Sequence, residues 1–142
     1  MLLEMVATLA AGLFAGAAIF INLVEHPARM EGGTAAALKE WRPSYKKATL
    51  MQAPLAAVGF LSASAAWLMG AEIWWLVGGV LLGSVIPFTL FVIKPTTNDK
   101  LLDPTVDEDA ASTHKLLVNW GRLHAVRSVL SLAAFLIFML LL

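Results

Sequence analysis

Four long apolar stretches alternate with polar ones along the chain: Met5 to Val24, Leu50 to Ala71, Ile73 to Ile93 and Val126 to Leu142. A helix rising about 1.5 Å per residue needs roughly 20 residues to cross about 30 Å of hydrocarbon, and the first three runs meet that length unaided. The fourth is short and takes an extra turn from Arg122 to Ala125. The pattern predicts an all-α integral membrane four-helix bundle, one transmembrane domain over residues 1–142 with spans near 5–24, 50–71, 73–93 and 122–142. Little more than Gly70, Ala71 and Glu72 separates the second run from the third, which makes those two a tight antiparallel hairpin. The first run follows Glu4 where a signal peptide would carry bases, so it is expected to be a retained span.

Composition supports a lipid-facing exterior. Of 142 residues, 59% are hydrophobic and only 14% charged, with a mean hydropathy of +0.77, too little polar surface to coat a soluble globule. The ten Lys and Arg residues all fall in two places: Arg29 to Lys47 between the first and second runs, and Lys94 to Arg127 from the end of the third run to the border of the fourth. The N-terminal tail, hairpin tip and C-terminus carry none. Positively charged loops stay on the cytoplasmic side, so both ends are expected outside. Net charge is zero, which leaves no basic face for nucleic acid. The absence of cysteine removes disulfides and thiolate chemistry.

The basic connections carry helical signals of their own. Thr34 is suited to cap a helix from Ala35 to Lys47 that places Leu38, Trp41 and Tyr45 on one face, an interfacial amphipathic segment leading into the second span. Asp103 followed by Pro104, with Asp107, Glu108 and Asp109 beyond, predicts a second helix running from Pro104 into the fourth span. The bundle is thus expected to have cytoplasmic amphipathic helical segments. Gly12 with Gly16 and Gly79 with Gly83 are spaced as packing seams, and Pro87 predicts a kink near Gly83. Trp67, Trp74 and Trp75 read as interfacial anchors at the outer hairpin.

Polar residues at membrane depth are the candidates for chemistry, because ionisable groups there are costly. Trp120, His124 and Arg127 follow one another at i, i+4 and i+7, one stripe of the fourth helix. Counted back from Leu142, Arg127 falls roughly 24 Å along the span, inside the hydrocarbon. Asn22 and His26 share a face of the first helix at the same level, and Trp41, Tyr45 and Asn98 reach it from the other two. The purely structural alternative makes Arg127 and Glu25 an interfacial ion pair. His114 and the acidic Asp107 to Asp109 run read as solvated.

No Glu-x-x-His or His-Glu-x-x-His pair occurs, so no metal site is assigned. No cofactor is expected; a haem held between His26 and His124, or a bound metal, is the alternative that two histidines at one level leave open.

Four short motifs are placed in order along the spans: Glu25-His26-Pro27-Ala28 at the end of the first, Trp41 and Tyr45 before the second, Pro87-Phe88-Thr89 leading to Lys94-Pro95-Thr96-Thr97-Asn98, and Trp120-x-x-x-His124-x-x-Arg127. In their order and their placement relative to four spans they resemble those of the anthrone-oxygenase-like membrane family. The resemblance implies oxidation of a phenolic or aromatic small molecule by molecular oxygen without metal or flavin. His26, Asn98, Trp120, His124 and Arg127 stand at positions that match the family's motifs. Together with the other polar and aromatic residues at that level they make the expected site: His124, His26 and Arg127 as catalytic groups in a cytoplasmic-face pocket, and Trp120, Trp41, Tyr45, Asn98 and Asn22 as substrate-binding groups. A bacterial inner membrane is the expected location. The expected partners are the lipid bilayer, a hydrophobic aromatic or quinone-like ligand and, through the glycine seams, a second copy of the chain. The competing reading is a non-enzymatic lipid- or quinone-binding or scaffold protein using the same stripe.

Overall fold

A computed structural model describes all residues, Met1–Leu142, and every regular element in it is helical. Four long helices form the fold: α1 (Leu2–Glu31), α2 (Thr34–Leu68), α3 (Ile73–Leu102) and α4 (Ala111–Leu141), each long and apolar enough to cross a membrane. Consecutive helices pack antiparallel and α4 closes against α1, so the four stand at the corners of a square with little contact across its diagonals. The α1–α2 and α3–α4 connections fall at one end, called here the basic end. The α2–α3 hairpin marks the other.

Local chemistry explains the turns. At the hairpin, Gly70 takes φ +101°, and the N–H groups of Gly70 and Ala71 turn back to the carbonyls of Trp67 and Ala66. That is the left-handed glycine cap that satisfies the last carbonyls of a helix. Gly33, at φ +92°, reverses the chain between α1 and α2. Residue 33 is also the N-cap of α2, and no side chain caps it. Thr34 Oγ1 instead lies 3.3 Å from His114 Nδ1, so the expected threonine cap is replaced by a contact across the loops. Nor is the stretch to Lys47 a separate amphipathic helix. It continues through Pro43 and Pro54 as the first part of one helix ending at Leu68, with Leu38 and Trp41 buried.

The helix expected from Pro104 begins later, at Ala111. Asp103 does not cap a helix: its Oδ1 accepts the Thr105 N–H at 2.8 Å and the Thr105 hydroxyl at 2.7 Å, closing a turn. Those two bonds hold the Asp103 carboxyl below its usual range. Asp107 makes a similar turn with the Asp109 N–H at 3.0 Å. The acidic run therefore shapes loops rather than a helix start.

Two helices depart from regular α geometry at the level that matters. α3 is interrupted at Ser84, where the Gly83 carbonyl has no N–H to meet because residue 87 is proline. Beyond the interruption it widens into π turns over Thr89–Asn98, around Pro95. α1 widens likewise over Ile21–Glu25, just before Pro27. Such bulges concentrate at functional sites because they re-aim side chains.

Exposure defines the bilayer boundary. Large apolar side chains stand exposed at Val24, Leu50, Val92 and Val126, one on each helix. Exposed or partly exposed charge begins within a few residues beyond them, at Glu25, Lys47, Lys94 and Arg122. From Leu50 to Met69 and from Ile73 to Val92 the belt is about 28 Å deep, close to a hydrocarbon core. Two apolar clusters line the bundle. The larger lies inside the belt and holds small residues with Phe14, Trp75, Leu82 and Phe138, while the smaller extends past its basic edge and holds Ile21, Leu38, Trp41, Ile93, Leu117 and Trp120.

Glycines allow the close approaches, though not all as expected. A Cβ on Gly79 would lie 3.0 Å from Ala63, and one on Gly83 3.0 Å from Phe60, so the α3 pair is a seam. In α1 only Gly12 faces a neighbour, Phe135; a Cβ on Gly16 would meet nothing within 4 Å. Trp75 is no anchor either: it is buried and stacked on Phe138 at 5.0 Å, because Gly78 leaves room for that ring. A Cβ on Gly78 would run into the Phe138 ring. Gly78→Ala should therefore destabilise the bundle by about 1–3 kcal/mol, the usual cost of overpacking, in reversible unfolding from detergent. Gly16→Ala should leave stability unchanged, and equal losses in both would refute this packing.

Candidate functional site

Between the two apolar clusters lies a layer of polar side chains drawn from α1, α2 and α4. Its organising member is Asn22, whose Nδ2 donates to the Gly121 carbonyl at 2.9 Å. A carbonyl only accepts, so this bond fixes the amide orientation and leaves Oδ1 as the acceptor. Oδ1 receives the Ser128 hydroxyl at 2.6 Å and lies 2.7 Å from His124 Nδ1. Nδ1 must then carry the proton, and His124 Nε2 keeps its lone pair. Asn22 orients the histidine instead of lining a pocket.

His26 is fixed in the opposite tautomer. Its Nε2 lies 2.9 Å from the Leu117 carbonyl and must donate, while Nδ1 is buried without a hydrogen bond. Gly121 makes room for it, since a Cβ there would fall 2.8 Å from His26 Cδ2. The Trp120 ring touches both imidazoles, at centroid distances of 5.0 Å to His26 and 4.8 Å to His124. Trp41 meets Trp120 edge-on at 5.8 Å and stacks on Tyr45 at 4.9 Å. These rings form a continuous aromatic wall at the bilayer margin.

Arg127 is 9% exposed, one position inside Val126. Its Nη2 donates to Gln52 Oε1 at 2.9 Å, and its guanidinium lies 5.5 Å over the Phe14 ring. It does not pair with Glu25. That carboxylate is taken by Arg29, one turn along α1, and by the Ser44 hydroxyl. Arg29 also contacts the Glu40 carboxylate, so it is a neutralised cation. Arg127 forms no ion pair at all.

Two hollows meet at Arg127. The larger, about 150 Å³, lies between α2 and α3 and is lined by Phe14, Ala56, Val85, Ile86, Lys94 and others. The smaller, about 10 Å³, is bordered by Gln52, Trp120, His124 and Arg29. Tyr45, Thr49 and Arg127 line both. Neither contains a carboxylate.

Of the residues expected here, His124, Arg127, Trp120 and Tyr45 border the hollows. Trp41 backs them through Tyr45, and His26 packs behind Trp120. Asn98 lies apart: it is buried with both amide atoms unpartnered, yet it lines neither hollow. Gln52, Ser128, Gly121 and Arg29 were not anticipated. A glycine between Trp120 and Arg122, inside a helix, was the one available signal among these. No group of three or more His, Cys, Asp or Glu side chains is clustered closely enough to hold a metal ion.

The tautomer assignment has a direct readout. Histidine ¹⁵N spectra should show His124 protonated at Nδ1 and bare at Nε2, and Asn22→Leu should mix the two forms. A wild-type signal from protonated Nε2 would reverse the assignment.

Comparison with curated proteins and with solved structures finds no match. The profile of the family described as anthrone oxygenase matches residues 41–137, from Trp41 on the aromatic wall through Arg127 and into the half of α4 away from the basic end. That match covers more than half of the chain and all of the site except the α1 contribution. The chain belongs to the anthrone oxygenase family.

Proposed function

We propose that this protein oxidises a phenolic, anthrone-like aromatic ketone with molecular oxygen, in the hollow beside Arg127. The observation that carries the reading is a pair: an unneutralised guanidinium on the wall of an apolar cavity, and a histidine lone pair one residue layer away. The family match supports the reaction class.

In the proposed reaction the substrate's methylene, flanked by two aromatic rings, loses a proton towards His124 Nε2. The small hollow is about the size of one water molecule, which suits a proton relayed through a single water. The electron pair left behind delocalises onto the ketone oxygen, and Arg127 stabilises that developing anion where water is excluded. Electron transfer to O2 and recombination form a carbon–oxygen bond, giving a hydroperoxide after protonation. Loss of the second methylene proton as the O–O bond breaks yields the new carbonyl and one water. One O2 is consumed per CH2 converted to C=O, and the balance needs no further electron carrier. His26, locked to the Leu117 carbonyl, holds the aromatic wall in place.

The distribution of bases completes the proposal: the basic end faces the cytoplasm and both chain ends lie outside, in a bacterial inner membrane.

His124→Ala should lower oxygen uptake with a hydroxyanthrone by about 10²–10⁴-fold, the usual contribution of a general base. Arg127→Gln should lower kcat by about 10²–10³-fold, the scale of a lost anion-stabilising donor. Both should keep wild-type helicity in detergent; turnover unchanged in either would remove that residue from the chemistry. Ligand binding with no oxygen uptake by the wild type would instead favour the non-enzymatic lipid- or quinone-binding reading. For the orientation, a cysteine at Asp107 should react with an impermeant thiol reagent only once the membrane is opened, and labelling on intact cells would invert the topology.

A further inference from the structure

The larger hollow is too small for the substrate class proposed above. A cavity of about 150 Å³ holds a single benzene ring, whereas an anthrone has three fused rings. The remainder must lie outside it, and the structure shows where. Helices α2 and α3 pack closely along their hairpin halves but separate past the interruption at Ser84. Four residues lining the hollow, Thr49, Ala53, Leu90 and Lys94, are themselves exposed on the bundle surface in this gap. Leu90 is 51% exposed.

The gap opens at the bilayer boundary, since Leu50 and Val92 mark the end of the apolar belt on these two helices. From Ile86, shared by both, a shallow groove of about 570 Å³ continues up the same seam between Phe60, Leu61, Val80 and Pro87. It is almost wholly apolar and faces the acyl chains. Lys94 stands at the basic edge of the mouth, Arg127 at the inner end, and no acid lines any part of the route.

We infer that the ligand reaches the site sideways from the bilayer through the α2–α3 cleft, as a planar phenol dissolved in the membrane. One ring and its oxygen enter towards Arg127, and the remaining rings or an attached apolar tail stay in the groove along Phe60 and Pro87. This rests on the proposed function for the identity of the ring. The route itself follows from the splayed helices and the exposed mouth. Proline at position 87 thus serves access: by interrupting α3 it opens the door.

The chain contains no cysteine, so a single introduced thiol can be addressed cleanly. Ala53→Cys places one in the mouth, and Val58→Cys, 45% exposed on the same helix and outside the hollow, serves as control. In liposomes, alkylation of the Ala53→Cys protein with a membrane-soluble pyrene maleimide should lower kcat/KM for a hydroxyanthrone at least tenfold. The alkylated Val58→Cys protein should stay within twofold of its unlabelled form. A dihydroxyanthraquinone should slow alkylation of Ala53→Cys at least threefold and leave Val58→Cys unaffected. Unimpaired turnover after Ala53→Cys is labelled, or labelling that the anthraquinone does not slow, overturns the route. The protection arm needs no turnover, so an inactive wild type that still shows protection discards the oxygenase reading while the lateral route stands.

Discussion

An arginine just inside the bilayer margin, with no carboxylate to neutralise it, is the constraint around which this bundle is arranged. Placing a guanidinium at the centre of a membrane helix costs about 2.5–3.5 kcal/mol on insertion scales. Near the margin Arg127 has one hydrogen bond, donated to Gln52 Oε1, and the face of Phe14 as its partners. The contrast with Arg29 is instructive. That residue is as deeply buried but contacts Glu25, Glu40 and Ser44, so its charge is spent on structure. The charge of Arg127 is left available to whatever occupies the adjoining hollow.

The second feature is a fixed direction for protons. Gly121 has a carbonyl that orients the Asn22 amide, the amide sets the His124 tautomer, and the absence of a Cβ at the same glycine admits His26. The two histidines therefore have different parts despite lying on one aromatic wall. His26 donates to a backbone carbonyl and is committed. His124 presents a free lone pair. This order depends on the widened turn of α1 ahead of Pro27, which carries Asn22 towards α4 and Glu25 towards Ser44 on α2.

The four spans and the grouping of polar residues at one end were legible from the sequence, because apolar runs of membrane length and an i, i+4, i+7 stripe are one-dimensional signals. Trp120, His124 and Arg127 share a face for that reason alone. What escaped the sequence depends on pairings between helices. Gln52 gives no sign in a list of residues that it meets Arg127, and Glu25, set against Arg127 as an ion-pair alternative, turns instead to Arg29. The i, i+4 geometry within α1 decides between them. Asn22 was read as a ligand contact because its three bonds, all to α4, are visible only once the helices are side by side. Asp103 had the look of a helix cap and Asp107 of a charge at a helix start, yet aspartate serves turns equally well, and the local bonds to Thr105 and Asp109 win. Gly16 and Trp75 failed for a common reason: which side of a membrane helix faces lipid is set by neighbours, not by residue type.

The central claim is that the site stabilises an oxyanion through Arg127, and the ionisation state of a bound phenol tests it directly. A hydroxyanthraquinone changes colour when it loses its proton. At a pH where the free dye is neutral, the dye bound to the wild-type protein should show the long-wavelength band of the phenolate, and the dye with Arg127→Met protein should keep the neutral spectrum. A neutral spectrum with both proteins would contradict the account.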